Sequence, residues 1–356
     1  MPRLPRLCRM PRPTPPLTLA ACLAITALTT PAAPAPPTDP APPTDPAPQP
    51  TPAPAPAPKL ALPTLRPTAD ERSRIARIQT LLARCGFSPG LIDGKPGRKT
   101  KIALEHLQRA RGLDPTGTPD EPTLTSLAAD DKLASSEAWT RTYQITEADL
   151  ALITGPIPED WNERSQLSVS GYADLLELLA ERGWCSTDLV QWLNPGVTLT
   201  DLKTGDQVTL PDTQAKPLPR LSRLEVDLAE KLVQGFDESG AQVALLHCSI
   251  AQHAEKRPAG ELHVQVIVTD PNYTFDPKDW PEVTDVTTRL IIAPGPRNPV
   301  GIAWVGLDKP GYGLHGTIRP QDIGKTGSHG CFRLANWDAL RLAKAVKLGM
   351  VVEIKD

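Results

Sequence analysis

The sequence predicts a multidomain chain: a small three-helix bundle, then an α+β module, then a mainly-β domain with one late helix. Three observations carry that prediction. Proline makes up 42 of the 356 residues, and 14 of those prolines fall within residues 31–60. Apolar residues then recur at helical spacing through residues 68–130. After residue 220 the pattern changes to short alternating runs bounded by Pro, Gly or Asp, the mark of strands. At 40% hydrophobic, a chain of this length holds two or three modest domains. A net charge of −3 argues against a nucleic-acid partner.

Residues 1–33 read as an export signal. Arg3, Arg6, Arg9 and Arg12 form a basic region ahead of the apolar LTLAACLAITAL at 17–28, which is too short to span a bilayer as a stable helix. LAAC at 19–22 also resembles a lipoprotein signal, leaving a lipid anchor through Cys22 open. The expected location is therefore exported, in the periplasm or cell envelope. Residues 34–67, with APPTDP twice in succession, read as an extended polyproline tether. Removing the signal takes Cys8 and Cys22 and leaves Cys85, Cys185, Cys248 and Cys331 in an oxidising compartment. A Cys85–Cys185 bridge is one open pairing; by default Cys85 and Cys248 act as small buried hydrophobes.

In residues 68–130, Thr68 and Glu71 are spaced as a capping box, Ile75, Ile78, Leu82 and Cys85 share a helical face, and Gly86 can stop the helix. The turn-rich SPGLIDGKPGRKT leads to a second amphipathic helix ended by Gly112, and Thr118 with Glu121 suggests a third start. His106 reads as packing or surface. In residues 139–213, WTRTYQI alternates as a strand, Thr146 and Asp149 could cap a helix, YADLLELLAERG and STDLVQWLNPG read as helices, and GDQVTLPD closes as a strand. GPIPEDWNERSQLS interrupts that pattern as an insertion.

Strand signals dominate residues 220–356. LEVDLAEKLVQGF and AQVALLHCSI flank DESG as a hairpin; ELHVQVIV, TRLIIAP, VGIAWVGL and GYGLHG are further strands. NWDALRLAKAV is the one convincing helix, with Asn336 as its expected N-cap, and VVEI closes the domain.

The chemistry gathers in HGTIRPQDIGKTGSHGCFRL at 315–334. A nucleophilic cysteine reacts as the thiolate, which calls for a base or a positive environment. Cys331 has His329 and Arg333 as near neighbours, and His315 lies sixteen residues upstream at a strand end. The amides of Gly330 and Cys331 are candidates for an oxyanion hole, glycine permitting close approach. A buried, inert thiol is the bland alternative. Zinc on His315, His329 and Cys331 would lack a fitting fourth ligand, so no metal is expected.

HGT…SHGCFRL resembles the L,D-transpeptidase (YkuD-type) catalytic domain, whose signature is a histidine, a spacer and S/T-x-G-C-x-R/N. The resemblance runs through PNYTFDPKDW, IIAPGPRNPVGIAWVGLDKPGYGLHGT and NWDALRLAKAV, covering about 220–356. LIDGKPGRKT, LQRARGLDPTG and the late TL..L of 68–130 resemble the three-helix peptidoglycan-binding family. The strand-helix-helix-strand order with LNPG in 139–213 looks like a LysM module. The resemblance implies acyl transfer on peptidoglycan without a metal or nucleotide cofactor. Cys331 would attack the diaminopimelate carbonyl of a tetrapeptide stem and expel D-alanine, with His315 as base, oriented by the Gly316 carbonyl. Arg333 would bind a substrate carboxylate, Ser328 and His329 would shape the loop, and Tyr312 would line the cleft. Partners would be peptidoglycan stem peptides and glycan strands, and carbapenem-type inhibitors would acylate Cys331. The acceptor stays open among a second stem's amine, a lipoprotein lysine and water, and a non-catalytic wall-binding protein is the remaining rival. A papain-like protease fits less well, because its cysteine precedes its histidine. SIAQHAEKRPAGELHV departs from the family's P-T-P-x-G turn, and its His253 and His263 read as surface or packing.

Overall fold

The first helix begins where the sequence places it. In the computed structural model, which describes residues 68–130, 139–214, 217–280, 283–324 and 330–356, the Thr68 hydroxyl accepts the Glu71 amide at 3.2 Å and opens α1 (Ala69–Arg84). The expected signal, tether, Cys22, Ser328 and His329 lie outside the described residues. Gly86, at φ +93°, lets the chain turn out of α1. Arg98–Ala110 forms α2 and Glu121–Asp130 forms α3. The third start differs from expectation: Asp120, not Thr118, accepts from the Thr123 amide and hydroxyl, while the Thr118 hydroxyl bonds that of Thr116 at 2.9 Å.

The next segment runs β1 (Thr140–Gln144), α4 (Glu147–Ala151), α5 (Trp161–Ser165), α6 (Leu175–Arg182), α7 (Thr187–Leu193) and β2 (Gln207–Pro211). Here β1 and β2 pair antiparallel, and Thr146 with Asp149 forms the complete capping box. The interrupting segment has a packing role. Trp161 of α5 stacks on Phe275 at 4.2 Å between centroids, and Ser170 bonds the backbone of Pro294 and Arg297.

The C-terminal part contains β3 (Arg223–Asp227), β4 (Leu232–Phe236), β5 (Gln242–His247), β6 (Gly260–Thr269), β7 (Tyr273–Phe275), β8 (Leu290–Ile292), β9 (Ala303–Leu307), β10 (Gly313–His315), β11 (Phe332–Arg333), α8 (Asn336–Ala345) and β12 (Val351–Lys355). LEVDLAEKLVQGF is thus two strands, turning at Lys231 with φ +59°, a hairpin inside what alternation alone presents as one run. One sheet has the order β11-β10-β9-β6-β12-β3-β4-β5, while β7 and β8 pair separately. Only β10–β11 and β12–β3 are parallel within it. Leu224, Val226, Val264, Val305, Leu314 and Phe332 face α8 across a shared core. Asn336 is the first residue of α8; Ala335 is the N-cap and makes no side-chain cap bond.

The bundle covers the β5 edge, which would otherwise present unpaired backbone groups. Leu245 donates to the Gly86 carbonyl at 3.0 Å and accepts the Ser88 amide at 2.8 Å, while Leu232 and Leu245 join the core of Leu81, Leu82, Phe87 and Leu107. His106 contributes to the same junction, bonding Gln242 at 3.1 Å. No Cys85–Cys185 bridge forms, and Cys185 is buried in the middle segment.

Candidate active site

Strand register assembles the site. His315 pairs with Trp304 on β9 and with Arg333 on β11. Side chains alternate faces along a strand, so Trp304, His315 and Arg333 make one row across three strands, and Cys331, two residues before Arg333, emerges on the same face. The intervening row of Val305, Leu314 and Phe332 points into the core, each 1% exposed or less. The apolar-polar alternation of GYGLHG and CFRL thus delivers three chemical side chains to one side and anchors them from the other.

Glycines make room for this row. A Cβ on Gly313 would come within 2.8 Å of the Trp304 ring, and one on Gly306 within 2.6 Å of its indole nitrogen. Trp304 in turn stacks on the His315 imidazole, centroids 5.6 Å apart. Nδ1 of His315 lies 2.6 Å from the Gly316 carbonyl. A carbonyl only accepts, so Nδ1 carries the proton and Nε2 keeps its lone pair, the tautomer a general base requires. Burial lowers this histidine to about 4, opposed by the Gly316 carbonyl and reinforced by the Arg333 charge.

The half-buried Cys331 thiol donates to the Gly311 carbonyl at 3.2 Å. Burial pushes it up to about 11, while the Gly313 amide and the Arg333 charge pull the other way. Near neutral pH both thiol and imidazole are therefore uncharged at rest, because burial disfavours each charged form and the Arg333 charge only partly offsets it at the thiol. Arg333 makes no ion pair with a described residue; Cys331 raises its pKa and Arg319 lowers it, but burial dominates and the net shift is down. Tyr312 lies beside the turn that carries Cys331, its ring 3.4 Å from where a Gly330 Cβ would sit. His253 is exposed and His263 pairs with Asp308 at 3.1 Å, so neither joins the site.

Two supports have no sequence motif. Ser249 exchanges backbone bonds with Arg333 at 2.9 and 3.0 Å, and its hydroxyl bonds Asp322 and Gly324 across the loop. It therefore clamps β11 to the chain that leads from His315. Trp304 sits in an alternating run but acquires its role only through register with β10. Beyond Gly316, residues 318–321 border a cavity of about 490 Å³ that also touches Tyr172, Glu181, Arg297 and Trp337.

With this geometry in place, comparison with known proteins is specific. Residues 222–354 match the family model described as "L,D-transpeptidase catalytic domain", and residues 71–127 match the "Putative peptidoglycan binding domain". The Bacillus licheniformis "Putative L,D-transpeptidase YkuD" is 48% identical over 61 residues, 17% of this chain and 37% of that protein. The Bacillus subtilis "Putative L,D-transpeptidase YqjB" is 33% identical over 104 residues, 28% of this chain and 52% of that protein. The chain thus spans about half or less of these relatives. An L,D-transpeptidase crystal structure from Xylanimonas cellulosilytica is 14% identical, covers 79% of this chain and 93% of its own, and superposes with a TM-score of 0.33.

Proposed function

We propose that this protein is an exported L,D-transpeptidase that joins peptidoglycan stems through a Cys331 thioester, giving 3-3 crosslinks. The observation that carries the reading is the single-faced row of Trp304, His315 and Arg333 beside Cys331, with the imidazole held in the Nδ1–H tautomer. In the reaction, Cys331 Sγ attacks the diaminopimelate carbonyl and its proton passes to Nε2 of His315. The Gly330 and Cys331 amides face the developing oxyanion. Collapse breaks the peptide bond, the leaving D-alanine takes the proton from the imidazolium, and a thioester remains. An acceptor amine then attacks, gives its proton to His315, and releases the thiol. Neutral partners suit this cycle: an imidazole that is unprotonated at rest can receive a proton at each attack.

In this reading Arg333 binds a stem carboxylate: its charge acts on the Cys331 sulfur, and no ion pair ties it to a carboxylate among the described residues. A groove of about 640 Å³ on the bundle, with Ile75, Ile78 and Leu104 beside Arg98 and Lys101, suits an anionic wall fragment. The antiparallel β1–β2 pair with the α6–α7 helix pair between its strands supports a LysM-like, glycan-binding reading of 139–213, with α4 and α5 as additions to that pattern. Incubation of the protein with tetrapeptide muropeptides, followed by mass analysis, tests the proposal. A crosslinked dimer is expected; a tripeptide alone would make the enzyme a carboxypeptidase, and loss of neither D-alanine nor substrate would remove the reading. A lipoprotein lysine as acceptor would appear as a protein-linked stem in the same assay with lipoprotein added.

A further inference from the structure

The middle segment reaches the candidate catalytic histidine through one half-buried carboxylate. Glu181, near the end of α6, accepts the Asn336 side-chain amide at 3.1 and 3.3 Å and the Tyr172 hydroxyl at 3.0 Å. Burying a carboxylate is costly unless it is well bonded, and here its donors come from two modules. The Asn336 amide nitrogen also donates to the Pro296 carbonyl at 2.9 Å, which fixes the plane of the group. Its oxygen accepts the Ile302 amide at 3.4 Å and lies against both Gly301 and Gly316, where a Cβ on either glycine would collide with it. Gly301, at φ +63°, crosses next to Gly316, and Gly316 bonds Ala303 through its amide at 3.2 Å. The Gly316 carbonyl is the group that holds Nδ1 of His315 at 2.6 Å.

We propose that Glu181 of the middle segment is a positioning residue for His315, acting by orienting Asn336, which seats the Gly301–Gly316 crossing and so aims the carbonyl that selects the imidazole tautomer. The middle segment is then part of the catalytic apparatus as well as a candidate wall binder. Glu181 touches no reacting atom; its effect travels through two bonded contacts and one packed glycine. Only the kinetic arm of the test rests on the transpeptidase reading.

The test uses the full chain carrying Glu181→Ala, Glu181→Gln, Asn336→Ala, the Glu181→Ala/Asn336→Ala pair, and Ser88→Ala as a control. Ser88→Ala cuts a different inter-module bond, that of Ser88 to Asp338 at 2.8 Å. Imidazole ¹⁵N spectra of the substrate-free protein, with His315 identified by its loss in His315→Gln, report the tautomer directly. Glu181→Ala is expected to move His315 from one Nδ1–H tautomer to a mixture, and to lower kcat about tenfold or more with KM held within about twofold. Glu181→Gln, which still accepts from Asn336, recovers most of both. The double variant is no slower than the slower single variant, as expected of residues acting in series. Unchanged His315 signals in a folded Glu181→Ala, additive losses in the double variant, or an equal shift in Ser88→Ala would each overturn the proposal. Should the wild-type protein prove inactive on muropeptides, the spectra still decide it.

Discussion

Alkylation of Cys331 by iodoacetamide separates a neutral resting pair from a preformed thiolate–imidazolium pair. With the thiol held at about 11, only about one molecule in ten thousand carries the thiolate at pH 7, against a few per cent for an unperturbed thiol. The rate should therefore rise about tenfold per pH unit from pH 6 to 10 without a plateau, and at pH 7 it should lie about 300-fold below that of an unperturbed thiol. Peptide mapping assigns the adduct to Cys331 rather than to half-buried Cys85. Acylation by a carbapenem should behave differently, because His315 accepts the proton during attack. That reaction should stay fast at pH 7 and fall only as the pH drops toward 4, where the imidazole becomes protonated. His315→Gln should abolish rapid acylation while leaving the slow alkylation nearly unchanged. A flat alkylation rate between pH 5 and 8, at the level of a full thiolate, would refute the neutral-pair reasoning.

Arg333→Lys should lower kcat/KM for a tetrapeptide donor about 10- to 100-fold with the fold intact, since a point charge cannot replace a planar fork; equal rates would remove the carboxylate role. Phe332→Ala empties a fully buried site beneath the row and should cost about 3–5 kcal/mol in denaturant unfolding. Ser249→Ala should lower kcat more than KM, with a stability loss of about 1–2 kcal/mol read from the same unfolding curves. Stability between pH 4.5 and 6 should be nearly flat in the wild type, because four groups with shifted pKa values oppose one another. His315 and His247, lowered to about 4 and about 3, bind fewer protons folded than unfolded, so stability rises with pH. Asp338 and Glu181, raised to about 6 and about 7, bind more protons folded, so stability falls with pH. His247→Gln removes one of the two rising contributions, and its unfolding free energy should then fall by about 1.4 kcal/mol per pH unit in that window.

Local chemistry explains what sequence reading reached. Helix starts at Thr68 and Thr146, the stop at Gly86, and most strands follow from spacing and turn residues, all decided within a few positions. The candidate nucleophile and base are legible for the same reason: HGT and HGCFRL each keep their chemical residues on one parity, so a strand reading already puts His315 and Arg333 on definite faces. What was hidden depends on pairing across long separations. Trp304 gains its role from antiparallel register with β10, Ser249 from a bridge to Arg333, and Asn336 from a partner 155 residues away. Asn336 reads as an N-cap by residue type alone, but its side chain finds stronger partners in Glu181 and Pro296, and the cap passes to Ala335. The thiol's protonation state was also beyond reach, since desolvation is a property of the assembled pocket.

The helix that follows Cys331 joins three differently patterned segments. Each of its first turns meets a different neighbour. Asn336 bonds Glu181, Trp337 stacks on Trp184 at 6.4 Å, Asp338 accepts from Ser88, and Arg341 lies over Trp184 while donating to the Ala83 carbonyl at 2.8 Å. These side chains project from one short helix whose opposite face, Ala339, Leu342 and Ala343, closes the catalytic core. A displacement of the bundle or the middle segment is therefore borne by the element directly behind β11, three residues from Arg333 and five from Cys331. A catalytic domain with a self-sufficient helix would have covered that face with exposed polar residues. Here it carries a buried tryptophan, together with a buried aspartate and a half-buried arginine that attract one another as a charged pair, and these side chains also reach Trp184, Ser88 and the Ala83 carbonyl outside residues 220–356. The helix directly behind Cys331 and Arg333 is thus held by side-chain contacts with both upstream segments.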